Sequence, residues 1–361
     1  MDELVAAGYA DLLLKHLGDA QLVSPTGSAI LPVDRPGLPA DPVRSRRQTV
    51  ESCSSVDTGV TVDSCRLCGG RQRRVLFTTR DRFERSDDEY AIVACETCAL
   101  VAITPQPKPE DRERLYPDHY YSYRPAPPRR RPLWRSVGSL REYSKLRGRP
   151  LPVGARVLEV GCGSGASLDW HLQLGRECHG VEISPQAVAL GGTRGIRMHL
   201  GELEDAGFED GYFDLVIGSQ VFEHVRDPVR CLREMHRILR PEGRLLLSVP
   251  NHASLNRRVF GRHWIGYDVP RHCHSFTPAT LRSFLEQSNF RCIAIDHVAG
   301  HYTLAASIGL AASAGRDPGA TRAAVDRLAG ALWMRLACLP VALATDLLRM
   351  SDVVRVLAER E

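Results

Sequence analysis

The 361-residue sequence contains no uninterrupted apolar run long enough for a membrane helix. Its nearest approach is LAGALWMRLACLPVALAT, Leu328 to Thr345, which is apolar except for Arg335 and is broken by Pro340. A central Arg costs at least ~2.5 kcal/mol in a bilayer, so this stretch is expected to form a packed or surface-lying helix. A strong excess of one charge is also missing. The 47 Lys and Arg against 43 Asp and Glu leave a formal net charge of +4, too small to mark an electrostatic nucleic-acid binder. Basic clusters do occur at Arg44, Arg46 and Arg47 and again at Arg129, Arg130 and Arg131, but they lie in Pro-rich stretches and read as solvated linker. The opening MDELVAAGYADLLLKHLGDA is acidic where a secretory signal is basic. Its Val5, Tyr9, Leu12 and Leu13 recur at helical spacing instead of forming a block, so no export signal is read there. No internal repeat is visible.

Cysteine, by contrast, is plentiful. Eleven cysteines in a chain read as unexported argue for a reducing, cytoplasmic setting, where grouped cysteines are metal ligands more often than disulfides. Two C-x-x-C pairs, CRLC (Cys65, Cys68) and CETC (Cys95, Cys98), can each hold one metal ion from a turn, and four thiolates suit tetrahedral Zn²⁺. Gly69 and Gly70 supply the backbone freedom such a knuckle needs. With four thiolates there is no open coordination position, so the metal is expected to be structural, substituting for a core in a short segment. Four unligated cysteines in a packed β unit, or an iron site, are the alternatives.

Organisation along the chain follows composition. Residues 1–60 read as a poorly structured or partly helical lead-in, 61–123 as a zinc-ribbon-like unit with short strands RVLFTT and YAIVAC, and 124–150 as linker and helix. From 151 to 361 strands and helices alternate. Strand candidates are 156–160, 178–183, 196–200, 213–218 and 244–249, mostly unbroken apolar runs of the kind covered by helices on both faces of a parallel sheet. DPVRCLREMHRILR puts Val229, Leu232, Met235, Ile238 and Leu239 on one helical face, starts at Asp227 and is expected to stop at PEG. A second helix is expected from Thr277 with Pro278 in its first turn, followed by a strand at 291–298.

The first strand of this region, in VLEVGCGSG, runs into Gly161, Gly163 and Gly165, where a missing Cβ lets backbone N–H groups approach a ligand at a helix N-terminus. Nucleotide enzymes of several kinds share such a loop. Glu182, ending the next strand, can accept hydrogen bonds from both ribose hydroxyls and repel a 2′-phosphate. Glu159, just before the glycines, points negative charge at a site that a dinucleotide pyrophosphate would need positive, so a cationic or zwitterionic ligand suits it better. Ser219, Gln220, Glu223 and His224 in FDLVIGSQVFEHV are expected to line the cleft at the carboxyl ends of the strands.

In this order and spacing, VLEVGCGSG, GVEIS, FDLVIGSQVFEHV, LREMHRILRPEGRLLLSVPN and VPRHCHSFTPATLRSFLEQSNF resemble class I S-adenosylmethionine-dependent methyltransferases. The resemblance covers Val153 to about His297 and extends to DVVRVLAER, which is similar to the family's antiparallel last strand. It implies an α/β fold with a Rossmann-like seven-stranded sheet and helices on both faces. The Ala- and Leu-rich stretch at about 300–350, before the last strand, departs from the family's compact form, and its helical spacing reads as a helical insertion. It further implies that Glu159 and the loop Gly161, Cys162, Gly163 to Gly165 hold the methionine part of S-adenosylmethionine, Glu182 with Ile183 the ribose, and Glu202 with Leu203 the adenine. The cysteine segment resembles the zinc-binding unit that precedes the methyltransferase domain in bacterial enzymes of sugar and natural-product pathways.

The sulfonium methyl already has a good leaving group, so the protein must chiefly align a nucleophile and exclude water. If the acceptor is a hydroxyl or carbon acid, a base is needed, and His224, Glu223, Tyr267 and His272 are the candidates. His272 also matches a histidine that recurs in similar methyltransferases. Glu223 and His224 could instead cap the helix near Asp227, Arg271 with His272 could pin a loop, and Glu223, His224 and His272 could together bind a divalent ion. Tyr116, Tyr120, Tyr121 and Tyr123 are read as packing at a domain junction, with a cover over the cofactor as the other possibility. The expected partner is a small-molecule acceptor and not a nucleic acid, with peripheral membrane or dimer contact through 300–350. RNA methylation and a non-catalytic zinc-ribbon interaction protein are the rival readings.

Overall fold

Two short cysteine turns bracket the first strands of the chain. A computed structural model describes residues 64–84, 86–117, 120, 123, 145–298 and 300–361. The lead-in 1–60, both arginine clusters, the linker at 124–132 and Tyr121 lie outside the described residues. In the first turn the Gly69 N–H donates to the Cys65 carbonyl (2.8 Å) and the Cys65 N–H to the Gly70 carbonyl (2.9 Å). The second repeats this with Ala99 on Cys95 and Cys95 on Leu100, both 2.9 Å. Gly69 sits at φ +71° and Ala99 at φ +60°, so the second knuckle carries an ordinary side chain in the left-handed region. Around them β1 (Arg73–Thr79), β2 (Tyr90–Cys95) and β3 (Val101–Thr104) pair antiparallel, and the one-turn helix α1 (Arg112–Leu115) follows.

The apolar runs after residue 155 build the main sheet. It comprises β4 (Arg156–Val160), β5 (Glu177–Glu182), β6 (Arg197–Leu200), β7 (Phe213–Ser219) and β8 (Leu239–Pro250), all parallel. Between them run α2 (Asp169–Gln173), α3 (Pro185–Thr193) and α4 (Pro228–Ile238), with α5 (Leu255–Phe260) after β8. Then come β9 (His274–Ser275), α6 (Pro278–Gln287), β10 (Phe290–Val298), the helices α7 (His301–Ala312), α8 (Pro318–Gly330) and α9 (Leu332–Leu347), and finally β11 (Val353–Arg360). Among the described residues the main sheet has seven strands in the order β10-β11-β8-β7-β4-β5-β6, and β11 runs antiparallel to both its neighbours. The expected seven-stranded, doubly wound architecture with its antiparallel last strand and helical insertion is the one observed.

Successive strand residues feed two separate cores, as a sheet covered on both faces requires. Leu158, Val216, Leu245, Leu247 and Val356 pack with Leu232, Met235 and Ile238 of α4 and Phe284 of α6, whereas Val157, Leu215, Leu246 and Leu357 pack with Leu146 and Leu168. The α4 residues are fully buried, each contributing about 1.5–3 kcal/mol. Asp227 caps α4 by accepting from the Arg230 N–H (3.1 Å), with Pro228 at the first helical position. Two sequence expectations are corrected here. The helix ends at Ile238, before PEG, because Leu239 already pairs with Phe213 in the sheet. Glu223 and His224 cap nothing, since they form their own 3-10 turn, Phe222–His224, and Asp227 does the capping.

The ribbon is continuous with the rest. β9 pairs with β3 through Val101 and Ser275 and through Ala102 and His274, so a strand from the far side of the sequence completes the four-stranded ribbon sheet. Val60–Glu361 accordingly form one compact unit. Cys65, Leu67, Cys95 and Leu100 belong to the same buried cluster as Leu232, Phe276 and Phe284.

In the insertion, Leu304, Leu310, Val325 and Cys338 bury one face against Phe83, Phe260 and Ile265, while Leu332, Trp333, Leu336 and Val341 of α9 stay exposed. Among the described residues no single helix is long and apolar enough to cross a membrane; α8 and α9 meet at a 72° bend.

Candidate active site

The chain passes from β4 through β5 to β6 on one side and returns at β7 on the other, which opens a crevice at the carboxyl ends of β4 and β7. A cavity of about 660 Å³ lies there. Its floor follows the strand ends: Val160 and Gly161, Val181 to Ile183, Gly201 to Leu203, and Ser219 to Val221. The ribbon supplies its roof, through Arg66, Lys108, Arg112, Tyr116, Tyr120 and Tyr123. Of the tyrosines read as junction packing, Tyr116, Tyr120 and Tyr123 face the cavity, in line with the alternative reading of a cover.

Of the residues expected to hold a cofactor, Gly161, Glu182, Ile183, Glu202, Leu203, Ser219 and Gln220 line the cavity, while Glu159, Cys162, Gly163 and Gly165 stand behind its wall. Gly161 has φ +64°, and a Cβ there would run into the Val221 side chain, so a larger residue is excluded on two counts. Glu182 does more than its position in the sequence indicates. One carboxylate oxygen accepts from the Gly163 N–H (2.8 Å) and the other from the Ile183 (2.7 Å) and Ser184 (3.0 Å) N–H groups, so this side chain holds the glycine loop in shape. Glu202 pairs with Arg112 of the ribbon at the cavity rim. Ser219 Oγ lies 3.1 Å from Ser248 Oγ.

Glu159 is buried and accepts from the Ser167 hydroxyl. Burial pushes its carboxyl up to about 7, against the opposing pull of Ser167 and Lys145. Between the ordinary carboxyl pKa and about 7 the folded chain keeps a proton that the unfolded chain has lost. The stabilising contribution is thus full below the ordinary value and disappears as pH rises through 7, a loss of about 3 kcal/mol. A Glu159→Gln chain is expected to gain stability relative to wild type by about that amount between pH 5 and pH 8, read by urea unfolding at the two values. An unchanged difference would show that Glu159 is ionised in the fold.

The base candidates separate. His224 lines the cavity; its Nδ1 is 2.9 Å from Tyr116 Oη and 3.1 Å from the Arg271 carbonyl. Burial, with His272 and Arg271 nearby, drives its pKa down to about 3. His272 stacks edge-on against it, ring centroids 4.6 Å apart, and places Nδ1 2.8 Å from the Gly266 carbonyl. Glu223 is 1 % exposed, and burial raises its carboxyl to about 8. Tyr267 is elsewhere: it lies under the ribbon sheet against Phe77 and Trp264, its hydroxyl 2.9 Å from His252 Nε2, and does not reach the cavity. Arg271 does pin a loop. Its guanidinium holds Asp268 (2.7 and 3.0 Å) and reaches Asp81 of the ribbon (3.4 and 3.5 Å).

The four ribbon thiols converge. Cys65 and Cys98 Sγ are 3.5 Å apart, as are Cys68 and Cys95 Sγ, and all four lie within 4.8 Å of one another. A tetrahedral ion with bonds of ~2.3 Å has sulfur–sulfur edges of roughly 3.8 Å, so the residues present fit a metal.

With fold and site in place, comparison with known proteins agrees with them. Residues 130–295 match a family model described as a methyltransferase domain. A ubiquinone biosynthesis O-methyltransferase of Xanthomonas oryzae pv. oryzae (strain PXO99A) is 31% identical over 151 residues, 38% of this chain and 63% of the relative. Its counterpart in Xanthomonas axonopodis pv. citri (strain 306) is 29% identical over 153 residues, 39% of this chain and 64% of the relative. The chain thus spans less than two thirds of the length of these curated relatives. A solved geranyl diphosphate C-methyltransferase from Streptomyces coelicolor A3(2) aligns with a TM-score of 0.40 at 16% identity, covering 63% of this chain and 79% of that one.

Proposed function

We propose that this chain transfers the methyl group of S-adenosylmethionine to an oxygen or carbon atom of a small-molecule acceptor. The observation that carries the reading is the cavity at the strand-order switch of a methyltransferase domain, with carboxylates at the ends of its second and third strands. The names of the relatives, O-methyltransferases, support a small acceptor. In this reading Glu182 and Ile183 meet the ribose, Glu202 and Leu203 the adenine, and Gly161 to Gly165 with Glu159 behind them the methionine part. The cofactor, when bound, supplies a methyl group on a positively charged sulfur. The chain's own residues do the rest: Tyr116, Tyr120 and Tyr123 close the roof against water, and His224, neutral at physiological pH, faces the acceptor space. We read the thiol cluster as a structural Zn²⁺ site, since four sulfur ligands leave no position for substrate. The exposed face of α9 supports a peripheral contact through 300–350.

S-adenosylhomocysteine at a hundred times its dissociation constant is expected to add about 2.7 kcal/mol, a rise of several degrees in melting temperature. Glu182→Ala is expected to abolish that rise. Because the variant also frees one N–H group of the glycine loop and two of the turn after β5, the ligand-induced shift and not the absolute melting temperature is the readout. A wild-type chain that ignores S-adenosylhomocysteine and responds to NAD would overturn the assignment.

A further inference from the structure

We propose that Glu223, His224 and His272 form a binding site for a first-row divalent metal ion beside the cavity, which only His224 of the three lines, and separate from the four-thiol cluster. One ligand atom from each of the three lies within 4.8 Å of the others, and His272 Nε2 is 4.0 Å from Glu223 Oε1. A metal with bonds of ~2.1 Å sets its ligands roughly 3–3.5 Å apart, so the three need to close by about 1 Å.

Glu223 supplies the first argument. It is 1 % exposed, and neither carboxylate oxygen has a hydrogen-bond partner. Buried carboxyl groups are almost always satisfied by donors, and two orphaned oxygens facing two histidines are short of a cation. The histidines supply the second. Each places Nδ1 on a backbone carbonyl, His272 on Gly266 (2.8 Å) and His224 on Arg271 (3.1 Å). A carbonyl can only accept, so His272 carries its ring proton on Nδ1 and its lone pair on Nε2. At His224 the Tyr116 hydroxyl, 2.9 Å from the same Nδ1, can donate or accept, so His272 is the imidazole whose orientation is set. That is how a metal-ligating imidazole is commonly oriented by its outer partner. Arg271 is itself fixed by Asp268, which makes its carbonyl a rigid orienting group.

Two imidazoles and one carboxylate suit Zn²⁺, Fe²⁺, Co²⁺ or Mn²⁺, and three protein ligands leave coordination positions open. His224 is the ligand that lines the cavity, so an open position is reached from the acceptor space. An oxygen of the acceptor is the chemical class of ligand that would fill it. This last step rests on the methyl-transfer reading, whereas metal binding does not.

The test uses the full, zinc-saturated chain titrated with Co²⁺ under anaerobic conditions and followed by absorption. Cobalt bound by nitrogen and oxygen gives weak visible bands, while cobalt that has entered the ribbon gives intense sulfur-to-metal charge-transfer bands in the near ultraviolet. The expected result is one equivalent of the weak-band species, with affinity at least about tenfold lower in Glu223→Gln and in His272→Ala. S-adenosylhomocysteine shifts recorded on the same variants show that the fold persists, and the spectra need no turnover, so failure of methyl transfer leaves them readable. Uptake of no cobalt beyond the charge-transfer species, or wild-type uptake by both variants, would overturn the proposal.

Discussion

A Cys65→Ser chain is expected to lose its metal, to melt at least about 10 °C below wild type and to lose S-adenosylhomocysteine binding at the same time. Structural four-ligand zinc sites contribute about 10–16 kcal/mol of apparent binding energy to small domains, and even partial loss exceeds the margin of an ordinary fold. At roughly 2–4 °C per kcal/mol for chains of this size class, a cost above ~4 kcal/mol gives the stated shift. The reason the damage spreads is packing. Cys65, Leu67, Cys95 and Leu100 are buried with Leu232, Phe276 and Phe284, so the knuckles and the helices beneath the sheet share one core. The ribbon's segment also supplies Tyr116, Tyr120 and Tyr123 to the cavity roof. Metal content by atomic absorption, calorimetric melting and ligand-induced shift measured on one preparation check the three parts together. A variant that loses its metal yet melts with wild type and keeps the ligand shift would show that the thiol cluster is not structural.

What could be read without coordinates was whatever short-range chemistry dictates. The mostly apolar runs at Val157 to Val160 and Leu245 to Val249 had to be covered strands, Asp227-Pro228 had to open a helix, and two C-x-x-C pairs had to form turns that present their thiols. The turn after β4 was equally legible, because glycines at fixed positions mark left-handed backbone, and Gly161, Gly163 and Gly165 all have positive φ. The misses are all long-range. Tyr267 looked like a base because it is a titratable group near His272 in sequence, yet its ring is fixed by Phe77 from the ribbon. Nothing local shows that β9 pairs with β3, and that pairing decides which tyrosines roof the cavity and where His272 faces. The end of α4 was misplaced for a related reason: Leu239 continues the apolar face of the helix, but sheet pairing with Phe213 claims it first. The hydrogen bonds that Glu182 accepts from backbone N–H groups could have been suspected, since a carboxylate beside a turn of free N–H groups commonly accepts from them.

Arg271→Ala is expected to cost about 3–5 kcal/mol, the range found when one partner of a buried ion pair is removed and the other is left uncompensated. The site meets that description on both sides: Arg271 is 4 % exposed, and the Asp81 side chain it reaches is 0 % exposed. Asp81 Oδ1 also accepts from the Phe83 (2.8 Å) and Glu84 (3.1 Å) N–H groups, so it cannot swing out to water without undoing the ribbon turn. The pH dependence separates this cause from simple loss of packing. Burial opposes ionisation of Asp268, but the Arg271 charge and hydrogen bonds overcome it and hold the carboxyl well below the usual carboxylate range. In wild type that group's contribution is therefore present above the ordinary carboxyl pKa and is lost as pH falls through the depressed value. Without Arg271 burial outweighs what the neighbouring His272 and His224 still offer, the carboxyl prefers its proton, and the variant regains stability as pH falls. The deficit measured by denaturant unfolding is thus expected to be larger at pH 8 than at pH 5, and Asp268→Asn added to Arg271→Ala is expected to recover part of it. A deficit below about 1 kcal/mol, or one equal at both pH values, would mean that the Asp81–Arg271–Asp268 link does not hold the ribbon to the loop at Asp268–Arg271.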